Sequence, residues 1–80
     1  MRRRRTHKPD QVYAATVRRI RIERGMTQES LAFDANLTVS AMARIERGES
    51  NPTWTTVLAI ARALGMTLHD LARATEGGKA

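Results

Sequence analysis

The sequence predicts an all-α fold, five short helices packed into one compact domain, and three observations carry that expectation. Apolar residues recur at spacings of three and four rather than in alternation. A capping residue (Asp10, Thr27, Thr38, Thr53, Thr67) precedes each periodic stretch, and Gly25, Asn36, Gly48 and Gly65 follow the first four. The connections left over are short, and a chain of 80 residues, 41% apolar, holds one small core rather than a large buried cavity.

The elements follow in order. Residues 1 to 9 carry the run RRRR and are expected to be a basic arm that offers nothing to bury, ending at Pro9. Asp10 caps a first helix with Tyr13, Val17 and Ile20 on one face and arginines at its flanks, stopping at Gly25. Thr27 caps a second helix, QESLAFDA, through its hydroxyl, with Ser30 standing where a capping box would have an acid and Glu29 still favouring the positive first turn. Its Leu31, Ala32 and Ala35 are expected inside. Asn36 tolerates the left-handed turn that follows, and Thr38 caps a third helix, VSAMARIER, anchored by Met42 and Ile45 and ended by Gly48. After the polar loop ESNP, Thr53 starts a fourth helix from Trp54 to Leu64 with Val57, Leu58, Ala61 and Leu64 as its apolar stripe. Thr67 and Asp70 form a T-x-x-D capping pattern for a short fifth helix carrying Leu68 and Leu71. The expected division is arm 1–9, helical domain 10–74 and fraying tail 75–80.

Charge narrows the function. The formal net charge is +6, and residues 1–24 hold nine basic and two acidic side chains, a net of +7, while the remainder is close to neutral. A polyanion is the partner that this distribution suits. The absence of Cys excludes disulfides and thiolate zinc sites, and His7 and His69 stand too far apart in sequence to suggest a finger, so no metal or cofactor is expected. No apolar run reaches the roughly 18 residues of a membrane span, and the basic start runs into Pro9 and Asp10 where a signal peptide needs an apolar core. A cytoplasmic location is expected. An enzyme is disfavoured, because Cys and a Gly-rich phosphate loop are missing and His69 beside Asp70, the one local pair, has a capping explanation.

Three segments, MTQESLA at 26–32, RIERGESNP at 44–52 and ALGMTLHDL at 63–71, in this order and spacing, make residues 17–71 resemble the lambda repressor-like, Cro/C1-type helix-turn-helix family of bacterial and phage regulators. The resemblance implies that the third helix is a recognition helix for double-stranded DNA, with Val39, Ser40, Ala43 and Arg44 at the base-reading positions. Their chemistry agrees: Arg44 can donate two hydrogen bonds to guanine O6 and N7, Ser40 suits several base edges, and Val39 or Ala43 can pack on thymine methyls. The plain alternative for Arg44 is a phosphate contact or a solvated arginine. The resemblance also places Gln28, Thr38, Arg47, Ser50, Asn51 and Thr53 along the phosphate backbone, although solvent exposure for Gln28 and ordinary turn and capping roles in the 50–53 loop are open alternatives. Arg21 and Glu46 match a charged pair that ties the first helix to the end of the third, a structural role. Asn36 departs from a glycine common in the family, Trp54 from an aliphatic residue, and the arm is longer than usual. Arg2, Arg3, Arg4 and Arg5 can lie on phosphates or enter a narrow minor groove, or be merely solvated.

One recognition helix reads few base pairs, so a homodimer on a partly palindromic operator, with half-sites about 34 Å apart, is the expected assembly. The resemblance puts the interface around the fourth and fifth helices, with Trp54, Met66, Leu68 and Leu71 as candidates, although Leu68 and Leu71 can equally close the core. Small relatives include restriction-modification controllers, phage repressors and antitoxins, so RNA polymerase or a cognate toxin is a candidate partner. The rival reading is an antitoxin-like protein-interaction module that holds nucleic acid nonspecifically. RNA binding is disfavoured by an aromatic content of 4%, Tyr13, Phe33 and Trp54, each at a position suited to core or interface.

Overall fold

The computed structural model describes residues 10–77 and contains five helices: α1 (Gln11–Glu23), α2 (Gln28–Asp34), α3 (Val39–Glu46), α4 (Trp54–Ala63) and α5 (Leu68–Gly77). The arm and its Arg2 to Arg5 lie outside the described residues. Each start has a chemical cause. Asp10 accepts from the Tyr13 backbone N–H, Thr38 from Ala41, Thr53 from Thr56 and Thr67 from Asp70, at 3.0 to 3.2 Å. At α2 the capping box is complete: Thr27 Oγ1 accepts from Ser30 N–H at 2.9 Å, and Ser30 Oγ accepts from Thr27 N–H at 3.1 Å.

The turn between α2 and α3 passes through Asn36 at φ 60°, the one non-glycine residue with positive φ among those described. Its short polar side chain makes this conformation affordable where a β-branched one would not. At the end of α3 the chain passes so close to α1 that a Cβ on Gly48 would meet the Gln11 amide at about 2.4 Å. Gln11 Nε2 donates to the Gly48 carbonyl there at 2.9 Å, a contact 37 residues apart in sequence.

The helices surround one core. Val17 and Ile20 from α1, Leu31 and Ala32 from α2, Met42 and Ile45 from α3, Ile60 and Ala61 from α4, and Leu71 from α5 are all buried, with Ala35 and Leu64 at the helix ends. Fully burying one such aliphatic side chain contributes about 1.5 to 3 kcal/mol, so this cluster outweighs the caps, each about 1 kcal/mol. α2 packs on α3 and α4, α1 on α3 and α5, and α4 on α5.

Several expectations need correction. Of the two roles open to Leu71, closing the core is the one its 1% exposure supports, rather than a dimer interface. In α4 the fully buried anchor is Ile60, while Val57 and Leu58 are half-buried, because the inward stripe is rotated toward Ile60, Ala61 and Leu64. Of the core and interface positions expected for it, Phe33, 83% exposed, does not take the core one. α5 runs past residue 74 to Gly77, where Ala74 packs against the core and Thr75 Oγ1 donates to the Leu71 carbonyl at 2.9 Å. Among the described residues no helix is long and apolar enough to cross a membrane.

Candidate nucleic-acid interface

α3 buries Met42, Ile45 and Glu46 and turns its other side outward. Val39 and Ser40 begin the helix, and Ala43 and Arg44 follow each of them by four, so the four residues form one patch on adjoining turns. Ser40 and Arg44 are exposed, Ala43 is half-buried, and Val39 is 42% exposed despite being apolar. The structure thus brings together all four base-reading candidates on a helix whose first turn is fixed by the Thr38 cap.

The orientation of that helix rests on Glu46. Its side chain is 1% exposed and accepts from Arg21 Nε at 2.7 Å and Arg21 Nη2 at 3.0 Å, a two-pronged pairing across 25 residues. Arg21 Nη1 donates to the Met26 carbonyl at 2.9 Å, tying in the segment before α2. Gln28 Nε2 donates to Glu46 Oε1 at 3.1 Å. The Gln28 amide is therefore aimed by the same carboxylate that positions α3, and its remaining N–H and oxygen are the groups it can offer a phosphate. One buried acid links α1, the first turn of α2 and the last turn of α3.

The other backbone candidates divide. Thr53 performs the capping role, accepting from Thr56 N–H and donating its own hydroxyl to Thr56 Oγ1 at 3.1 Å. Ser50 is half-buried and Asn51 exposed. Arg47, exposed at the end of α3, is held by Glu49, with Nε and Nη2 donating to the carboxylate at 2.9 and 3.0 Å. The pairing draws the Glu49 carboxyl below its ordinary range, with the Arg47 hydrogen bond as the main cause, and raises Arg47 correspondingly. Glu49, which occupies Arg47, is a residue that motif reading passes over, although an acid two positions from an arginine was the available signal. Gln11 and the Gln28–Glu46 bond had no such signal, because both join distant segments.

Of the dimer candidates, Trp54 is 67% exposed, Leu68 and Met66 are half-buried, and Met66 packs against the core. Tyr13 carries a buried hydroxyl with no hydrogen-bond partner among the described residues, and burial pushes its phenol well above the ordinary value of 10.0. Among the described residues no group of three His, Cys, Asp or Glu side chains could hold a metal ion.

Comparison with known proteins agrees with this geometry. A helix-turn-helix family model (HTH_3) matches residues 17–73. The HTH-type transcriptional regulator DdrOP3 of Deinococcus deserti is 35% identical over 60 residues, covering 75% of this chain and 46% of that protein. The immunity repressor protein of Bacillus phage phi105 is 48% identical over 50 residues, 62% of this chain and 35% of that protein. The chain thus spans half or less of the length of these two relatives. Among solved structures, the restriction-modification controller protein C.AhdI of Aeromonas hydrophila superposes with a TM-score of 0.74 at 31% identity, covering 76% of this chain and 92% of that one. The chain belongs to the helix-turn-helix family of the lambda repressor-like, Cro/C1 type, whose members are DNA-binding transcriptional regulators and not enzymes.

Proposed function

We propose that this protein binds a partly palindromic DNA operator as a homodimer and regulates transcription by occupancy, either covering a promoter or presenting a surface to RNA polymerase beside it. The observation that carries the reading is the patch of exposed Val39, Ser40 and Arg44 with half-buried Ala43, on a helix whose opposite side is locked by the buried Arg21–Glu46 pair. An apolar side chain left exposed in the first turn of a helix is explained by a thymine methyl, and Arg44 beside it by a guanine edge. Gln28, Thr38, Arg47, Ser50, Asn51 and Thr53 supply the positioning contacts to phosphate, and Arg2 to Arg5 add nonspecific attraction. A cytoplasmic location follows from a target on DNA.

The test is competition. Duplexes that the protein retains against a large excess of unrelated DNA should share a sequence, and specific binding at physiological salt should exceed nonspecific binding by about 10³-fold or more. Equal retention of all duplexes, with affinity collapsing as salt rises, would instead indicate the protein-interaction module. Phe33, 83% exposed on α2, is the observation that favours a protein partner, whether polymerase or a cognate toxin, in addition to DNA.

A further inference from the structure

α1 reaches the far end of α3 at two places. Arg21 takes the Glu46 carboxylate, and Gln11, at the start of the same helix, donates from Nε2 to the Gly48 carbonyl at 2.9 Å. Gln11 lies ahead of residues 17–73, the segment that the helix-turn-helix family model matches. Its bond falls where the chain leaves α3. Gly48, at φ 71°, donates its N–H to the Ile45 carbonyl at 3.0 Å, and Glu49 donates its N–H to the Arg44 carbonyl at 2.9 Å, which closes the helix in a Schellman turn. The peptide plane between Gly48 and Glu49 is thus held at both ends, its N–H by the backbone of Arg44 and its C=O by Gln11. Beyond that plane lie Ser50, Asn51 and the Thr53 cap of α4.

We propose that Gln11 is a positioning residue for DNA binding: by fixing the Gly48–Glu49 peptide plane from α1, it aims Ser50 and Asn51 at the phosphate backbone beside the recognition helix. The inference rests on the operator-binding reading, which gives Ser50 and Asn51 their phosphate role, and deepens it by naming the residue that orients them.

Two arguments select aiming over plain stability. Gln11 is exposed and outside the core, and the Schellman bonds close α3 without it, so its loss removes a restraint on the plane rather than a helix end. Glycine has the least hindered backbone of any residue, so the direction of the loop is most free to vary at Gly48, where the Gln11 amide packs too closely for any Cβ to fit. Leverage does the rest. Asn51 stands three residues beyond Gly48, at most about 10 Å along the chain, so a swing of about 10° there moves it by up to about 2 Å. Hydrogen bonds to phosphate tolerate only about 0.5 Å. Losing the aim of one or two such neutral contacts corresponds to about three- to tenfold in affinity, spread evenly over all sequences because phosphates carry no base identity.

Fluorescence anisotropy with the full chain, on the duplex it prefers in competition, tests the proposal through a variant cycle. Gln11→Met keeps the length and helix preference of the side chain and removes the donor. Ser50→Ala with Asn51→Ala removes the groups being aimed. The proposal expects Gln11→Met to weaken every duplex about three- to tenfold without changing their ranking, and to have less than about a twofold further effect in the Ser50→Ala, Asn51→Ala background. Replacing the phosphates of the duplex one at a time with neutral methylphosphonate should reveal a phosphate in each half-site whose removal also abolishes the penalty of Gln11→Met. Circular dichroism melts establish that each variant is folded at the temperature of binding. Gln11→Glu is a second variant, favoured in the first turn of a helix yet without an N–H to donate; its stability should hold or rise while its loss of binding shows the same coupling to Ser50 and Asn51. A merely structural role gives the opposite pattern, in which the effects of Gln11→Met and the loop substitutions multiply and no single phosphate carries the loss. That pattern, or a Gln11→Met protein that binds as tightly as the wild type, overturns the proposal and leaves the operator reading intact. A wild type that prefers no duplex overturns both.

Discussion

Replacing Glu46 with Ala removes the acceptor of three hydrogen bonds, two from Arg21 at 2.7 and 3.0 Å and one from Gln28 at 3.1 Å. The Arg21 side chain, 12% exposed, is then left as a charge with little access to water. Loss of one partner from a buried pair costs about 3 to 5 kcal/mol, mostly the penalty of the charge left behind. The lower end applies here, because Arg21 keeps the Met26 carbonyl and lies near enough to the surface to recruit water. A domain of this size has only about 4 to 12 kcal/mol in total, so a loss of about 3 kcal/mol is severe. Thermal melts should fall by about 12 to 24 °C. In the double variant Arg21→Met with Glu46→Leu no buried charge remains, and chemical denaturation should show it less destabilised than the sum of the two single changes by about 2 kcal/mol. A Glu46→Ala protein within about 0.5 kcal/mol of the wild type, as expected of a surface site, or single effects that simply add, would refute the assignment of Glu46 as the linchpin of α3.

Other expectations follow from the same geometry. Glu49→Gln releases Arg47 from its internal carboxylate, and fluorescence anisotropy should show all duplexes bound about two- to fivefold more tightly without a change in their ranking; weaker binding would mean that Glu49 aims Arg47 rather than occupying it. Tyr13→Phe removes a buried hydroxyl without a partner among the described residues, so stability at neutral pH should hold or rise. Because burial raises the folded-state value above the ordinary 10.0, the unfolded chain ionises first. The wild type then loses stability as pH climbs from about 10 toward the folded-state value, and denaturant melts at alkaline pH should show that loss relieved in Tyr13→Phe. Thr27→Ala breaks the capping box at α2 and should cost about 1 kcal/mol in chemical denaturation; no change would show the cap to be dispensable.

Local chemistry was legible because it acts over three or four residues. Thr27 with Ser30, Thr38 with Ala41 and Asn36 at positive φ are decided by neighbours in sequence, and the structure places them where capping and turn preferences put them. The face of each helix was legible for α1 to α3, since Val17, Leu31 and Met42 lie in unmistakable stripes. In α4 it held for Ala61 and Leu64 and missed Ile60, because nearly every residue is apolar or small and periodicity alone does not separate Ile60 from Val57 or Leu58. Trp54 and Phe33 were left between core and interface, because composition says that an aromatic side chain prefers burial and not whether the fold has room for it; both are exposed. The Arg21–Glu46 pair came from family resemblance; its third member, Gln28, appears only when α2 is folded against α3.

The central claim is that the outer face of α3 reads DNA sequence and that Arg44 reads a guanine within it. Selection of random duplexes by the wild type and by Arg44→Ala, sequenced at low and moderate salt, tests it most directly. The account predicts an inverted repeat with half-sites one turn, about 34 Å, apart, and relaxed preference at one guanine position per half-site in the variant, equivalent to about 1 to 3 kcal/mol. An identical ranking of sites by both proteins would contradict the role of Arg44, and enrichment of no sequence by the wild type would contradict the claim itself.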